Sequence, residues 1–353
     1  MPNVRKERLV EENTNPRSAV IEPVGARDWA RVIGKYGQPI NGRASFEIMV
    51  TLIPFVALWV LTWLAMDVSY WLSLLIAIPA GVFLVRMFMI QHDCGHGSFF
   101  RQRQINDWTG RIIGVLTLTP YGFWKRTHAL HHANSGNLDR RGHGDVETLT
   151  VAEYRNRSAL SRLAYRLYRH PLVMFTIGPI YLFMLQHRLP VGLMRRGWRP
   201  WISAMGTNLF IVVAAGIVIY FVGLKAFLMV HLPITFFAGM LGVWLFFVQH
   251  QFAQASWDSE GDWDWHEAAL QGSSYYELPG VLRWLTADIG VHHVHHLCGR
   301  VPFYRLAQVL RDHPQLRDIS RITLAESLGC VRLALWDESH RRMVSFREYA
   351  KAS

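Results

Sequence analysis

Three short clusters of histidine carry the chemistry of this sequence. They are His92-Asp93-Cys94-Gly95-His96, His128-Ala129-Leu130-His131-His132 and His292-His293-Val294-His295-His296. Each holds imidazoles three or four residues apart, a spacing that stacks rings on one helix face where they can reach the same ion. Imidazole suits iron, zinc and copper. Eight ring donors are available: His92, His96, His128, His131, His132, His292, His295 and His296. One tetrahedral zinc uses about four, so two metal ions are implied. His293 follows His292 by one position, about 100° around a helix from the shared face, and is expected to hydrogen-bond behind the ligands. A carboxylate that accepts the second N–H of a ligand imidazole orients the ring and raises its basicity. Asp93 and Asp145 are candidates for that role, with solvated loop charge as the alternative; Asp139 is a poorer one. The isolated His143, His170, His187, His266, His313 and His340 read as ordinary surface or interfacial residues.

These boxes need elements to bring them together. Four apolar runs approach the roughly 20 residues that a helix needs to cross a hydrocarbon core. They are Phe46 to Met66, Tyr70 to Ile90, about Trp201 to Val222 and about Ala226 to Val248. The turns inside each pair are three residues, giving two helical hairpins. Glu47 stands at the edge of the first run, and Arg86, one turn from the end of the second, is placed to snorkel. Ile112 to Trp124 and Pro171 to Leu185 are shorter, contain Pro or Gly, and read as interfacial or re-entrant pieces. If the latter crossed fully, the third box would land on the opposite side from the first two. Arg5, Lys6, Arg8, Arg17, Arg27, Arg31, Lys35 and Arg43 precede the first run, arginines follow the second and fourth, and the hairpin turns hold only Lys225. That asymmetry predicts cytoplasmic termini, middle loop and boxes.

The expected fold is all-α and integral to the membrane: four transmembrane helices as two hairpins, with a cytoplasmic helical cap holding a di-metal site. Residues 1–45 form an N-terminal cytoplasmic segment, 46–310 the membrane domain and 311–353 a C-terminal cytoplasmic segment. The composition agrees, with 51% hydrophobic and 18% charged residues in 353. The net charge of +11 sits beside the apolar runs, which argues for lipid headgroups and against nucleic acid. Cys94, Cys298 and Cys330 are an odd count and read as free thiols. The first 45 residues show no apolar core of the signal-peptide type. Trp257, Trp263 and Trp265, interleaved with acids, read as a membrane-interface segment. Lys125 and Arg126 read as loop charge beside lipid, or as a hold for a headgroup or carrier phosphate.

The longer blocks around the boxes resemble the membrane fatty acid desaturases, and look closest to the bacterial acyl-lipid omega-6 (delta-12-type) branch. HDCGH, HALHHANSGNLDRRGHGDVETLT from His128 to Thr150, WLFFVQHQF, WDWHEAALQGSSYYELP and IGVHHVHHLCGRVPFYRL carry the resemblance, which covers roughly Arg86 to Leu310. One position departs: where such proteins usually read Asn-Ile-Gly before the third box, this chain has Asp288-Ile289-Gly290. Asp288 is therefore a candidate to act behind the ligands, with added negative charge. The resemblance implies O2-dependent introduction of a cis double bond into a membrane-lipid acyl chain at two histidine-bound irons. It also implies a narrow apolar tunnel for the chain. With no fused donor segment apparent, it implies a separate ferredoxin or similar donor with its reductase. The block VQHQF resembles the family block that supplies an extra metal histidine, which makes His250 a ninth candidate ligand and catalytic residue beside the eight. His231, on the same run but 19 residues earlier, is not expected to be one. A hydroxylase, ketolase or acetylenase of the same superfamily is the first alternative. A metal-ion transporter is a distant one, because its ligands belong near the bilayer midplane.

Overall fold

The computed structural model describes residues 25–142 and 144–352. Arg5, Lys6, Arg8 and Arg17 of the basic tail, together with His143 and Ser353, lie outside the described residues. Among the described residues, four helices are long and apolar enough to span a membrane: Asn41–Ala65, Tyr70–His96, Arg199–Val222 and Leu224–His250. They form the two expected hairpins. The second helix runs six residues past Ile90 and stops at Gly97, whose φ of 70° a side-chain-bearing residue adopts at a cost. The first box is therefore part of the spanning helix and not a loop after it. His250 ends the fourth helix in the same way. The second and fourth helices touch where Gly81 lies: a Cβ there would stand 3.0 Å from both Ala238 N and Phe237 Cβ. Small residues let helix backbones approach this closely in a bilayer.

Arg86 does not snorkel. Because its helix continues to His96, the guanidinium is three turns from the end and is fully buried. Nη2 lies 2.5 Å from Glu47 Oε2, Nε donates to Thr51 Oγ1 at 3.1 Å, and Nη1 donates to the Trp284 carbonyl. Arg43 pairs with the other Glu47 oxygen at 2.6 Å. A charge held away from water persists only when paired and hydrogen-bonded, and this network supplies both.

The segment from Pro171 dips alongside the fourth helix and returns. Phe175 packs on Trp244 and Phe247, Pro179 abuts Gly239, and Arg188 donates to Asn208 Oδ1 at 2.8 Å. The chain then enters the third spanning helix near the box-two helix, where Ser203 Oγ accepts from Phe123 N at 3.0 Å. The box-two helix itself spans Tyr121–Asn134, after a turn in which Leu118 has a φ of 54°.

The cap contains short strands that the sequence reading did not anticipate. β1 (Leu149–Thr150) pairs in parallel with β4 (Leu333–Asp337), which pairs antiparallel with β5 (Arg342–Ser345). β2 (Tyr275–Glu277) pairs in parallel with β3 (Arg321–Thr323). Both parallel pairs tie the C-terminal residues to chain that flanks a histidine box. The structure remains mostly helical.

Candidate metal centre

The boxes meet at the ends of the second and fourth spanning helices. His92, His96, His128, His132 and His295 form one group, and His131, His250, His292 and His296 a second; within each, the ring nitrogens lie within 4.8 Å of one another. In the first, His128 Nε2 is 3.0 Å from His96 Nε2 and 3.1 Å from His132 Nε2, which is 3.2 Å from His295 Nε2. In the second, His250 Nε2 is 3.2 Å from His131 Nε2 and 3.0 Å from His292 Nε2. The groups are adjacent, since His132 stacks on His296 with ring centroids 4.0 Å apart.

Several Nδ1 atoms are turned away from these centres. His131 Nδ1 donates to Asp145 Oδ1, His92 Nδ1 to Asp93 Oδ1 at 3.1 Å, and His250 Nδ1 to the Gly272 carbonyl at 3.4 Å. With the proton on Nδ1, the lone pair sits on Nε2 and faces its fellows. Lone pairs do not hydrogen-bond one another, so converging Nε2 atoms fit a cation between them. His296 adds to the case: it is buried, and neither ring nitrogen has a partner among the described residues. Such an atom is costly unless something binds it. Burial first, then the neighbouring imidazoles, hold His128, His132, His292, His295 and His296 well below the usual histidine pKa. They are therefore neutral, which is the ligating form. Burial raises the Asp145 carboxyl, but His131, His250 and a backbone hydrogen bond from Gly142 together outweigh it and the net shift is downward, so Asp145 stays ionised.

Asp288 stands apart from both groups, and His293 also lies outside them. Asp288 Oδ1 lies 2.8 Å from Arg283 Nε, off the line of a hydrogen bond, and among the described residues none of its contacts is with a clustered histidine. His293 turns its Nε2 to the Leu316 carbonyl at 2.8 Å and ties the third box to the cap. Both are drawn away by partners that the box spacing does not reveal. Two of the tryptophans also have partners near the second box. Trp265 and Trp263 donate to the carbonyls of His132 and Ser135, at 3.0 and 3.1 Å, and so clasp the box-two helix. Lys125 pairs with Asp107 at 2.8 Å. Trp124, which carried no signal beyond its place next to the box, stacks on His128.

A cavity of about 690 Å³ opens onto both groups through His92, His128, His131 and His292. Leu84, Val85 and Phe88 of the second spanning helix and Val243 and Phe246 of the fourth give it apolar walls. His187, read from sequence as an isolated surface residue, is 8% exposed and lines this cavity with Nδ1 unpartnered. The size is in the range of small-ligand sites, roughly 300–1,000 Å³.

The model of the family described as fatty acid desaturase matches residues 69–324. The chain belongs to the fatty acid desaturase family. It is 44% identical over 89% of both chains to a fatty acid desaturase of Bacillus subtilis (strain 168). It is 31% identical to an sn-1 acyl-lipid omega-3 desaturase (ferredoxin) of a Synechocystis strain, over 64% of this chain and 63% of that one. To an sn-1 oleoyl-lipid 12-desaturase from the same strain it is 26% identical, over 75% and 74%. The desaturase is thus an integral membrane enzyme, with its histidine groups where two spanning helices end on one side.

Proposed function

We propose that this desaturase uses O2 to introduce a cis double bond into the acyl chain of a membrane lipid, with omega-6/delta-12-like placement, at two irons held by the nine histidines His92, His96, His128, His131, His132, His250, His292, His295 and His296. The observation that carries this reading is the apolar cavity that reaches both histidine groups at once. Bound iron would supply the activation of O2 and the oxidising power to take two hydrogens from adjacent CH2 groups, for which side chains alone are too weak. The chain's own residues supply position. Asp93 and Asp145 orient His92 and His131, Trp124 covers His128, and the cavity walls hold the acyl chain and exclude water. Overall, O2, two electrons and two protons accompany the two abstracted hydrogens into two waters. The electrons are assigned to a separate ferredoxin-type protein and its reductase, which agrees with a relative named for ferredoxin. The histidine side is assigned to the cytoplasm from the Lys/Arg asymmetry.

The test is expression in a host without polyunsaturated lipids, with mass spectrometry of the membrane lipids and metal analysis of gently purified protein. The expected product is lighter by two hydrogens, with its new bond at the delta-12 position. A product heavier by one oxygen establishes a hydroxylase instead. A new bond at another position overturns the regiochemistry alone. An active enzyme holding only zinc overturns the iron.

A further inference from the structure

The cavity has a buried end and an exposed end, and the exposed end is charged. Leu84, Ala238 and Gly239 line the buried part, whereas Arg126, Gly192 and Arg196 are exposed. Arg126 lies on the box-two helix and Arg196 in the stretch before the third spanning helix. Neither has an ion pair or a side-chain hydrogen bond among the described residues, in contrast to Lys125 beside the first, which Asp107 holds. Among the described residues, no Asp or Glu lines the cavity. Two unpaired arginines therefore line a space whose described walls carry no compensating acid.

Such a mouth selects an anion, and a guanidinium fork matches phosphate oxygens two at a time. The rest of the cavity says what is joined to that anion. Along the fourth helix the lining runs from Gln249 to Thr235, about 21 Å at 1.5 Å per residue. That arm suits a hydrocarbon tail and offers nothing to a free phosphate. His187, with its buried, unpartnered Nδ1, adds one polar atom to these walls for the linkage between phosphate and tail. Arg196 stands three residues before the third spanning helix begins at Arg199, the level at which lipid headgroups lie.

We propose that Arg126 and Arg196 form a phosphate-binding site at the cavity mouth, which takes the headgroup phosphate of the phospholipid whose acyl chain enters the cavity. The proposal rests on the desaturase reading for its substrate and adds the class of lipid. Its test is direct binding and needs neither metal nor turnover. Full-length protein in detergent is titrated with phosphatidylglycerol, with a diacylglycerol of the same chains, with an acyl-CoA and with inorganic phosphate. Native mass spectrometry reads retention. Wild type and an Arg195→Gln control should retain phosphatidylglycerol in preference to the other three. Arg126→Gln and Arg196→Gln should each weaken it by about ten-fold or more, leave diacylglycerol unchanged, and recover in part as Arg→Lys. The partial recovery separates lost charge from misfolding. Variants that bind phosphatidylglycerol like wild type overturn the proposal, as does equal retention of diacylglycerol. Inorganic phosphate that competes as well as the lipid marks a free-anion site, and preferred acyl-CoA marks a carrier site; both also overturn it. Selective retention without any desaturated product in cells sinks the desaturase reading and leaves the phosphate site standing. Product without selective retention does the reverse.

Discussion

Asp288 carries a charge that its surroundings only partly welcome. Burial pushes its carboxyl up to about 6, with Arg283 and Arg86 pulling against that. A folded pKa above the unfolded value of 3.8 means that the native state binds the proton more tightly, so this group lowers stability as pH rises from about 4 to about 6. The cost is fully present above that window and absent below it. Its backbone φ is also 52°, a region that Asn tolerates well. Asp288→Asn should therefore raise the unfolding free energy at pH 7.5 by on the order of 1–3 kcal/mol, with the gain shrinking towards pH 4. A uniform gain or loss across that range would show that the carboxyl's charge is not the cause. His250 makes a second case. Its Nε2 faces His131 and His292, so His250→Ala should abolish turnover and lower bound iron from two towards about one per chain. His231 stacks on Phe227 of the same helix, roughly 28 Å along it from His250, and His231→Ala should keep both. Normal iron and activity in His250→Ala would remove it from the ligand set. The gathering of the eight box histidines was legible because ligands to one ion must recur on a helix face. The partners of Asp288 and His293 were not, because Arg283 and Leu316 are placed by the cap's folding and not by any local period.

The spanning helices were legible as apolar runs, but their ends and polar contacts were not. Hydropathy stops at Ile90, while the helix goes on through the first box, Gly95 included, to His96 and turns left-handed only at Gly97. Arg86 looked like a residue near a helix end for that reason, and its true partners, Glu47 and Trp284, are 39 and 198 residues away. Strands of two to five residues with distant parallel partners leave no periodicity to read. The contact of the second and fourth helices yields a test at this scale. Gly81→Ala puts a methyl 3.0 Å from Ala238 N and 3.1 Å from the Ile234 carbonyl, both backbone atoms that cannot swing aside. The helices must part by a few tenths of an ångström, at a cost of about 1–3 kcal/mol. Since each helix carries histidines at its far end, iron occupancy should fall together with the melting temperature. Unchanged occupancy in a destabilised variant would show that the cap alone sets the site.

At the scale of the molecule, the second and fourth spanning helices must end on the same side of the bilayer, because His92 and His250 belong to adjacent groups. Reporter fusions after Asn106 and Ser158 should both report the cytoplasm, and one after Gly223 the opposite side. Opposite signals from Asn106 and Ser158 would mean that Ile112 to Trp124 crosses the bilayer, and that the four-span arrangement is wrong.

The division of the nine histidines into groups of five and four also sets an order of events while the chain is still being made. Four of the first group, His92, His96, His128 and His132, emerge early, whereas the second group has only His131 until His250 and His292 follow. At about 5–20 residues per second the ribosome needs roughly 10 to 40 s to travel from the first box to the third. For that interval a nascent chain displays one nearly finished cluster and one barely begun. The early cluster is open to whichever divalent ion arrives first, and the stronger binders late in the first transition series have the advantage there. If each group holds one ion, the first can load before the second is complete, and a cell short of iron should then make enzyme mismetallated in the first group.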